Sequence, residues 1–169
     1  MTRDDARPPT RRPPRYRGWA VTAVVATMAV LPATEPRAVL MKDDTFVDAQ
    51  TNGILTIEGG ECFTDPAYST RLGDVVVLYA SCEEGADNQS YAFLHAPDGP
   101  WDRPGLVEFA RAGCGRDFAQ RWTSREASGL DYYPVLPTEE TWADGDRDVM
   151  CVVYRPGERI TRSLVPLVR

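Results

Sequence analysis

Histidine is almost absent from this sequence, and so are the residue spacings that are typical of metal sites. It has a single histidine, His95, and its four cysteines form no CxxC pair, so the ligand spacing that structural zinc sites use is missing. It also lacks a glycine-rich phosphate loop, a dinucleotide fingerprint and a serine in a nucleophile elbow. Because these spacings and motifs are missing, we predict no metal site and no cofactor site. His95 stands outside any nucleophile motif, so we also predict no catalytic residue.

Positive charge is scarce outside the N-terminal residues. Residues 1–18 carry six arginines and two aspartates, a net charge of +4, whereas the whole chain is −6 and the remainder is therefore −10. An acidic body argues against a nucleic-acid partner bound through its phosphates. Residues 1–18 also contain four prolines and few apolar side chains, a composition that predicts a disordered tail.

No apolar run reaches the length of a comfortable membrane span, which is about 20 residues. Residues 19–33 are an uncharged run of 15 residues, which fits a signal peptide or a single membrane anchor. The arginine-rich flank predicts a cytoplasmic N-terminus, with everything after Ala33 outside the cytoplasm. A cleavage site after Ala33 is poor, because Leu31 occupies a position where a small residue is preferred. Anchoring in the cell membrane is therefore favoured, and secretion is the alternative.

The rest of the chain divides into a linker, residues 34–52, and one globular domain, residues 53–165. Extended segments are predicted at residues 54–57, 74–80, 89–95, 130–136, 148–154 and 160–164. Leu106, Ala110, Cys114, Phe118 and Trp122 recur every four residues, which predicts an amphipathic helix. We therefore predict the α+β class: a small, mostly antiparallel sheet with one main helix packed on it.

Residues 137–151, reading P-T-E-E-T-W-A-D-G-D-R-D-V-M-C, join a short capped turn to a strand. Thr138 is predicted to cap the turn through its hydroxyl. Trp142 is predicted to anchor the turn in the core. After the turn, residues 148–154 are apolar on both faces, which predicts a strand covered on both sides of the sheet.

The end of that turn is rich in acids. Gly145 is predicted to terminate the turn, and Asp146 and Arg147 to tie it. Residues 144–148 alternate acids like the start of a calcium loop, but the glycine is in the wrong place and no glutamate closes the loop. We therefore interpret the segment as a turn in which Arg147 pairs with a nearby acid.

The four cysteines are Cys62, Cys82, Cys114 and Cys151. An even number of cysteines in an exported domain fits two disulfides, with three possible connectivities. Four reduced core cysteines are the alternative, and export makes that alternative weaker.

Several segments together resemble the septum-formation domain of actinobacterial proteins. The resembling segments are G-G-E-C-F at residues 59–63, Cys82 followed by D-N-Q at residues 87–89, the helix around Cys114, the tryptophan motif of residues 137–151, and residues 157–164. The resemblance covers residues 53–165, and its most specific part is P-x-x-x-x-W-x-x-G-D-R-x-V-x-C. One departure is that Gly85 and Ala86 stand where the family usually has Pro-His.

The resemblance implies an exported or membrane-anchored protein of the cell envelope with a role near the division septum. We accordingly predict a non-enzymatic binding or scaffold module outside the cytoplasm, with an envelope or division protein as its partner. The alternatives are an envelope-directed hydrolase that uses carboxylates as acid and base, and a small secreted inhibitor or effector. The predicted elements further suggest that Cys62 pairs with Cys82 at neighbouring strand ends, and that Cys114 pairs with Cys151 to pin the helix to the central strand.

Overall fold

The computed structural model describes residues 41–166 of this 169-residue protein. The predicted tail, the predicted signal peptide or anchor and the first part of the predicted linker lie outside the described residues. Within the described part, a 3-10 turn at Ile54–Thr56 precedes the main elements. These are β1 (Cys62–Phe63), β2 (Ala67–Ser69), β3 (Asp74–Val76), β4 (Asn88–His95), α1 (Arg103–Trp122), α2 (Arg125–Ser128), β5 (Asp131–Val135), α3 (Glu139–Ala143) and β6 (Asp148–Tyr154).

Two antiparallel sheets and one long helix confirm the predicted α+β class. The larger sheet has the strand order β1-β4-β6-β5, and β2 and β3 form a separate hairpin. Every strand pair in both sheets is antiparallel. Strand β6 is an inner strand, and the edge strand β5 accommodates Pro134, which has no amide proton to donate to a ladder.

Strand β6 is covered on both faces, as its sequence predicts. Val149, Cys151 and Val153 are fully buried in one core cluster, which also contains the buried face of α1. The alternate residues Met150, Val152 and Tyr154 belong to a second cluster on the opposite face. Side chains of successive strand residues point to opposite faces, so a segment that is apolar at every position is stable only between two layers.

Helix α1 has the predicted apolar stripe and a capped start. Leu106, Ala110, Cys114 and Phe118 are buried. The Asp102 carboxylate accepts a hydrogen bond from the amide of Gly105, which satisfies one of the unpaired N–H groups of the first turn. The apolar pattern of the sequence therefore determines which face of the helix packs on the sheet.

Two disulfides staple the domain, with the predicted connectivity. Cys62 bonds to Cys82 with a Cα–Cα distance of 5.3 Å, and Cys114 bonds to Cys151 with a distance of 5.4 Å. The first links strand β1 to the segment that follows the hairpin. The second joins the middle of α1 to the middle of β6, which fixes the helix to the inner strand.

Three predicted strands differ from the observed structure. The segment at residues 54–57 holds the 3-10 turn Ile54–Thr56 in place of a strand; Ile54 and Ile57 are buried, and Gly53 before the turn has a φ of +90°. The strand at residues 74–80 is regular only over Asp74–Val76, and Leu78 and Ala80 instead make single backbone bonds to the chain around β1. Residues 160–164 form no strand; Ile160 makes an isolated bridge to Ala86.

The packed domain begins earlier than residue 53. Val47 and Ala49 are buried, and Asp48 bridges to Leu136 beyond the end of β5. Residues 42–52, predicted as part of the linker, thus belong to the folded body. The sequence does not reveal that this segment is folded, because two of its buried residues, Lys42 and Asp44, are charged. In the structure, ion pairs satisfy both charges.

Candidate functional site

The tryptophan motif forms a short capped helix that holds one indole ring in place. Thr138 caps α3, and its hydroxyl accepts from the amide of Thr141 while the Thr141 hydroxyl accepts from the amide of Thr138. This reciprocal pair satisfies two unpaired donors. Trp142 is 8% exposed, and its indole N–H donates to the carbonyl of Gly99 at 3.0 Å.

Arg147 locks the end of the same motif. Its guanidinium carbon lies 3.8 Å from the centroid of the Trp142 ring. One of its nitrogens donates to the carbonyls of Trp142 and Asp146, at 2.8 and 2.9 Å. A second nitrogen pairs with the Asp98 carboxylate at 3.1 Å. Gly145, which lies between Trp142 and Arg147 in the chain, adopts a left-handed backbone conformation with a φ of +97°. Holding this turn together is therefore a sufficient explanation for the presence of these motif residues.

A small cavity opens beside Trp142. It has a volume of about 260 Å³ and is lined by the loop before α1, by Leu106 and Phe109 of α1, and by Trp142 itself. Ligand pockets for drug-sized molecules run from about 300 to 1,000 Å³. This cavity is therefore smaller than a typical pocket for a drug-sized ligand.

A cluster of exposed apolar side chains lies on and after the β2–β3 hairpin. We call it the hairpin surface and define it by Tyr68, Leu72, Val75, Leu78 and Tyr79, which are between 46% and 67% exposed. Tyr68 and Val75 are directly opposite each other in the hairpin register, so they form one continuous rung. Exposed apolar side chains that adjoin one another, as Tyr68 and Val75 do, mark interaction sites.

The acids and the histidine do not converge on a catalytic arrangement in the part of the chain that is described. His95 and Asp148 face each other across β4 and β6, with Nδ1 and Oδ1 2.9 Å apart, but both side chains are more than half exposed. Hydrogen bonds from neighbouring hydroxyl or amide groups lower the carboxyl pKa values of Asp43, Glu83 and Glu126, whereas a carboxylic acid that donates a proton at neutral pH needs a raised pKa. Among the described residues, no group of three metal-ligating side chains comes together.

The position where the resembling family carries histidine lies in the core of this chain. Ala86 is fully buried beside Cys62 and Ile160, and its amide and carbonyl both pair with Ile160. Gly85 before it has a φ of +99°. The side chain at position 86 is therefore enclosed by packed residues and contributes nothing to the surface of this chain.

Sequence reasoning missed a buried polar cluster around the only lysine of the chain. The Lys42 side chain is 1% exposed, and its ammonium nitrogen contacts Asp65 at 2.5 Å and Asn88 at 2.8 Å. Asn88 is also fully buried. The one available signal was the rarity of lysine itself, because the three residues are far apart along the chain.

Comparisons with protein-family models, with curated proteins and with solved structures found no match to this chain. The resemblance to the septum-formation domain therefore stays a hypothesis. Over residues 41–166, no helix combines the length and the apolar character that crossing a membrane requires. The predicted anchor at residues 19–33 lies outside that range.

Proposed function

We propose that this protein is a non-enzymatic binding or scaffold module of the cell envelope that works outside the cytoplasm and acts in septum formation. The observation that carries the binding role is the hairpin surface, with its exposed Tyr68, Leu72, Val75, Leu78 and Tyr79. Burying apolar area is the main favourable term in association, about 25 cal/mol per Å². Leaving five large apolar groups in water is costly unless a partner covers them.

The charge of the domain favours a basic protein partner. The chain beyond residue 18 carries a net charge of −10. Two such domains repel each other, and an anionic lipid surface repels them as well. A protein whose apolar contact patch is rimmed by lysine or arginine has the complementary charge, which speeds its association and fixes its register. We therefore propose an envelope or division protein with a basic rim as the partner.

Two disulfides support a location outside the cytoplasm. Both bridges are formed, and all four cysteines are used. Disulfides persist in oxidising compartments and are rare in the cytosol. A reporter that is active only in the cytoplasm, fused to the C-terminus of the full chain, is expected to be silent. Strong reporter activity would contradict the proposed location.

The binding role is tested by crosslinking in living cells. The full chain would carry a photo-crosslinker at Val75, and the crosslinked partner would be identified by mass spectrometry. The double change Tyr68→Ser with Leu78→Ser is expected to abolish the product, because it removes the apolar contact. Phe93→Ser is the matched control, since Phe93 is also a partly exposed apolar residue, 45% exposed, but lies on β4 of the other sheet. Its crosslinking is expected to persist.

The outcome separates this proposal from its rivals. A partner that belongs to the division or envelope machinery, crosslinked by the parent chain and the control but not by the double variant, supports the proposal. Equal crosslinking by all three chains contradicts it. Turnover of cell-wall material by the purified chain would favour the alternative hydrolase. A partner outside the producing cell would favour the secreted inhibitor or effector.

A further inference from the structure

Lys42, Asp65 and Asn88 form a closed triangle of polar contacts inside the domain. The Lys42 Nζ donates to the Asp65 Oδ1 at 2.5 Å and to the Asn88 Oδ1 at 2.8 Å. The Asn88 Nδ2 donates to the same Asp65 oxygen at 2.9 Å. One carboxylate oxygen therefore touches both the amine and the amide nitrogen, and the amine touches the amide carbonyl.

Aromatic rings enclose this triangle. The Lys42 Nζ lies 5.0 Å from the centroid of the Phe46 ring and 4.9 Å from that of Tyr154. The Tyr133 hydroxyl donates to the Asn88 Oδ1 at 3.1 Å. Burial lowers the pKa of Lys42, and this effect exceeds the opposing influence of Asp65 and Asp87. A lysine that is removed from water in this way gives up its proton more readily, and loss of that proton is what an amine nucleophile requires.

We propose that Lys42 and Asn88 join in an intramolecular isopeptide bond, that Asp65 transfers the protons of this reaction, and that the Tyr133 hydroxyl stabilises the developing oxyanion. The geometry carries the proposal. An amine that is already held against a carbonyl avoids the entropy loss of a bimolecular encounter. A donor aimed at the carbonyl oxygen is placed where negative charge develops in the tetrahedral intermediate.

The reaction needs no co-reactant. Asp65 first takes a proton from the Lys42 ammonium, and the freed lone pair attacks the Asn88 Cγ. Asp65 then gives its proton to the Asn88 Nδ2, and the Cγ–Nδ2 bond breaks as the Nζ–Cγ bond forms fully. The leaving ammonia takes the proton released from Nζ and departs as ammonium. Asp65 is a carboxylate again, so atoms and charge balance, and nothing is oxidised or reduced.

Asn88, rather than Asp65, is the acceptor for a chemical reason. A bond to Asp65 would consume the one group that touches both nitrogens, and no second carboxylate bridges them among the described contacts. The proposed bond ties the start of the folded body to Asn88, the first residue of the inner strand β4. It would anchor the chain at the point where the predicted linker enters the domain, independently of the two disulfides.

The test is a peptide map of the full chain after reduction and alkylation, which removes the Cys62–Cys82 link. We expect trypsin to leave Lys42 uncut, and residues 38–71 to stay joined to residues 72–111 with the mass of one ammonia missing. Two separate peptides with cleavage after Lys42 would overturn the proposal. A separate peptide of residues 38–71 that is uncut after Lys42 and lacks one water would assign the bond to Asp65, which lies in that same peptide, and would also overturn the proposal. Succinimide formation at Asn52 loses the same ammonia but joins no peptides.

Variants test the assigned roles. Asp65→Ala is expected to leave the two peptides separate, and Tyr133→Phe to slow joining at least tenfold during refolding of freshly made chain. Asp43→Asn is the matched control, since Asp43 is an exposed acid next to Lys42 that makes its hydrogen bonds to Thr45; it should join normally. Circular dichroism checks that each variant folds. Joining in a folded Asp65→Ala chain would refute the role of Asp65.

Discussion

The guanidinium group of Arg147 stacks on the indole ring of Trp142, with its central carbon 3.8 Å from the ring centroid. The same group donates to the backbone carbonyl of Trp142 at 2.8 Å. Arg147 thus holds both the side chain and the main chain of one residue. A planar guanidinium can do this because it stacks and donates in different directions at once. The turn between α3 and β6 is fixed by this pair.

Trp142→Ala is expected to lower stability strongly. The change removes a large buried side chain and the hydrogen bond to Gly99, and truncations of this kind cost about 3–5 kcal/mol. Abundance in cells should fall with it, and localisation should be lost only as a consequence. Denaturant unfolding of the purified chain measures the free energy of unfolding. An unchanged melting temperature together with a lost turnover of cell-wall material would refute the binding role and favour a hydrolase.

Arg147→Lys is expected to destabilise the domain despite keeping the charge. A lysine keeps an ion pair with Asp98 but loses the stacked plane and one of the two carbonyl contacts, which is worth about 1–2 kcal/mol. Asp98→Asn is the matched control, because the Asp98 side chain is 93% exposed and exposed pairs contribute little. Equal melting temperatures for Arg147→Lys and the parent chain would show that the charge alone matters.

Removing the Cys114–Cys151 bridge should cost more stability than removing Cys62–Cys82. The bridges close chain segments of 37 and 20 residues, and loop-closure entropy makes each worth roughly 3 to 4 kcal/mol, more for the longer loop. Both members of the longer bridge are also fully buried. Double Cys→Ala variants of each pair, compared by thermal unfolding, test the order. A non-reducing peptide map that shows Cys62 joined to Cys114 would contradict the connectivity.

Gly53→Ala is expected to destabilise the domain, and Gly60→Ala is the control. Both glycines have a φ of +90°, so alanine meets the same backbone strain at each, about 1 kcal/mol or more. At Gly53 a Cβ would also lie 2.3 Å from the Val77 carbonyl oxygen, whereas at Gly60 it meets open space. The loss should therefore be larger at Gly53 by at least about 1 kcal/mol. Equal losses would mean that the loop at residues 51–57 moves freely.

Stability is expected to fall above about pH 10. Burial raises the pKa values of Tyr91 and Tyr133 above the ordinary tyrosine value of 10.0. In the unfolded chain these phenols lose their protons near pH 10, so the native state binds more protons there and stability falls as the pH rises further. Unfolding at increasing pH, followed by the ultraviolet signal of tyrosinate, measures this. Tyr91→Phe should flatten the decline; an unchanged slope would rule out Tyr91 as a contributor.

The sequence alone determined the elements whose pattern repeats locally. Strand β6 is apolar at every position, and helix α1 repeats its apolar residues every four positions, so burial on two faces and on one stripe follows from chain geometry. Thr138 caps its turn because a hydroxyl before a helical segment is chemically suited to the unpaired amides. The pairing of Cys114 with Cys151 was predictable because it joins those same two elements, α1 and β6.

Only the tertiary structure decided the segments whose stability comes from distant partners. Residues 74–80 are rich in β-branched side chains, yet the strand ends at Val76 because the carbonyl of Asn52 binds the amide of Val77. Val77 is buried, whereas Leu78 and Tyr79 after it are left exposed as part of the hairpin surface. Strand propensity reflects the contacts a segment finds, and no local pattern specifies them.

The Lys42 cluster is the clearest example of a feature that the local sequence does not specify. A lone lysine in a polar stretch is ordinarily a solvated charge, and nothing next to it in the sequence indicates otherwise. It is buried because the chain brings Asp65 and Asn88 to it from 23 and 46 residues away. A buried charge is stable only when such partners pair with it, and their meeting depends on the packing of the whole domain rather than on any local segment.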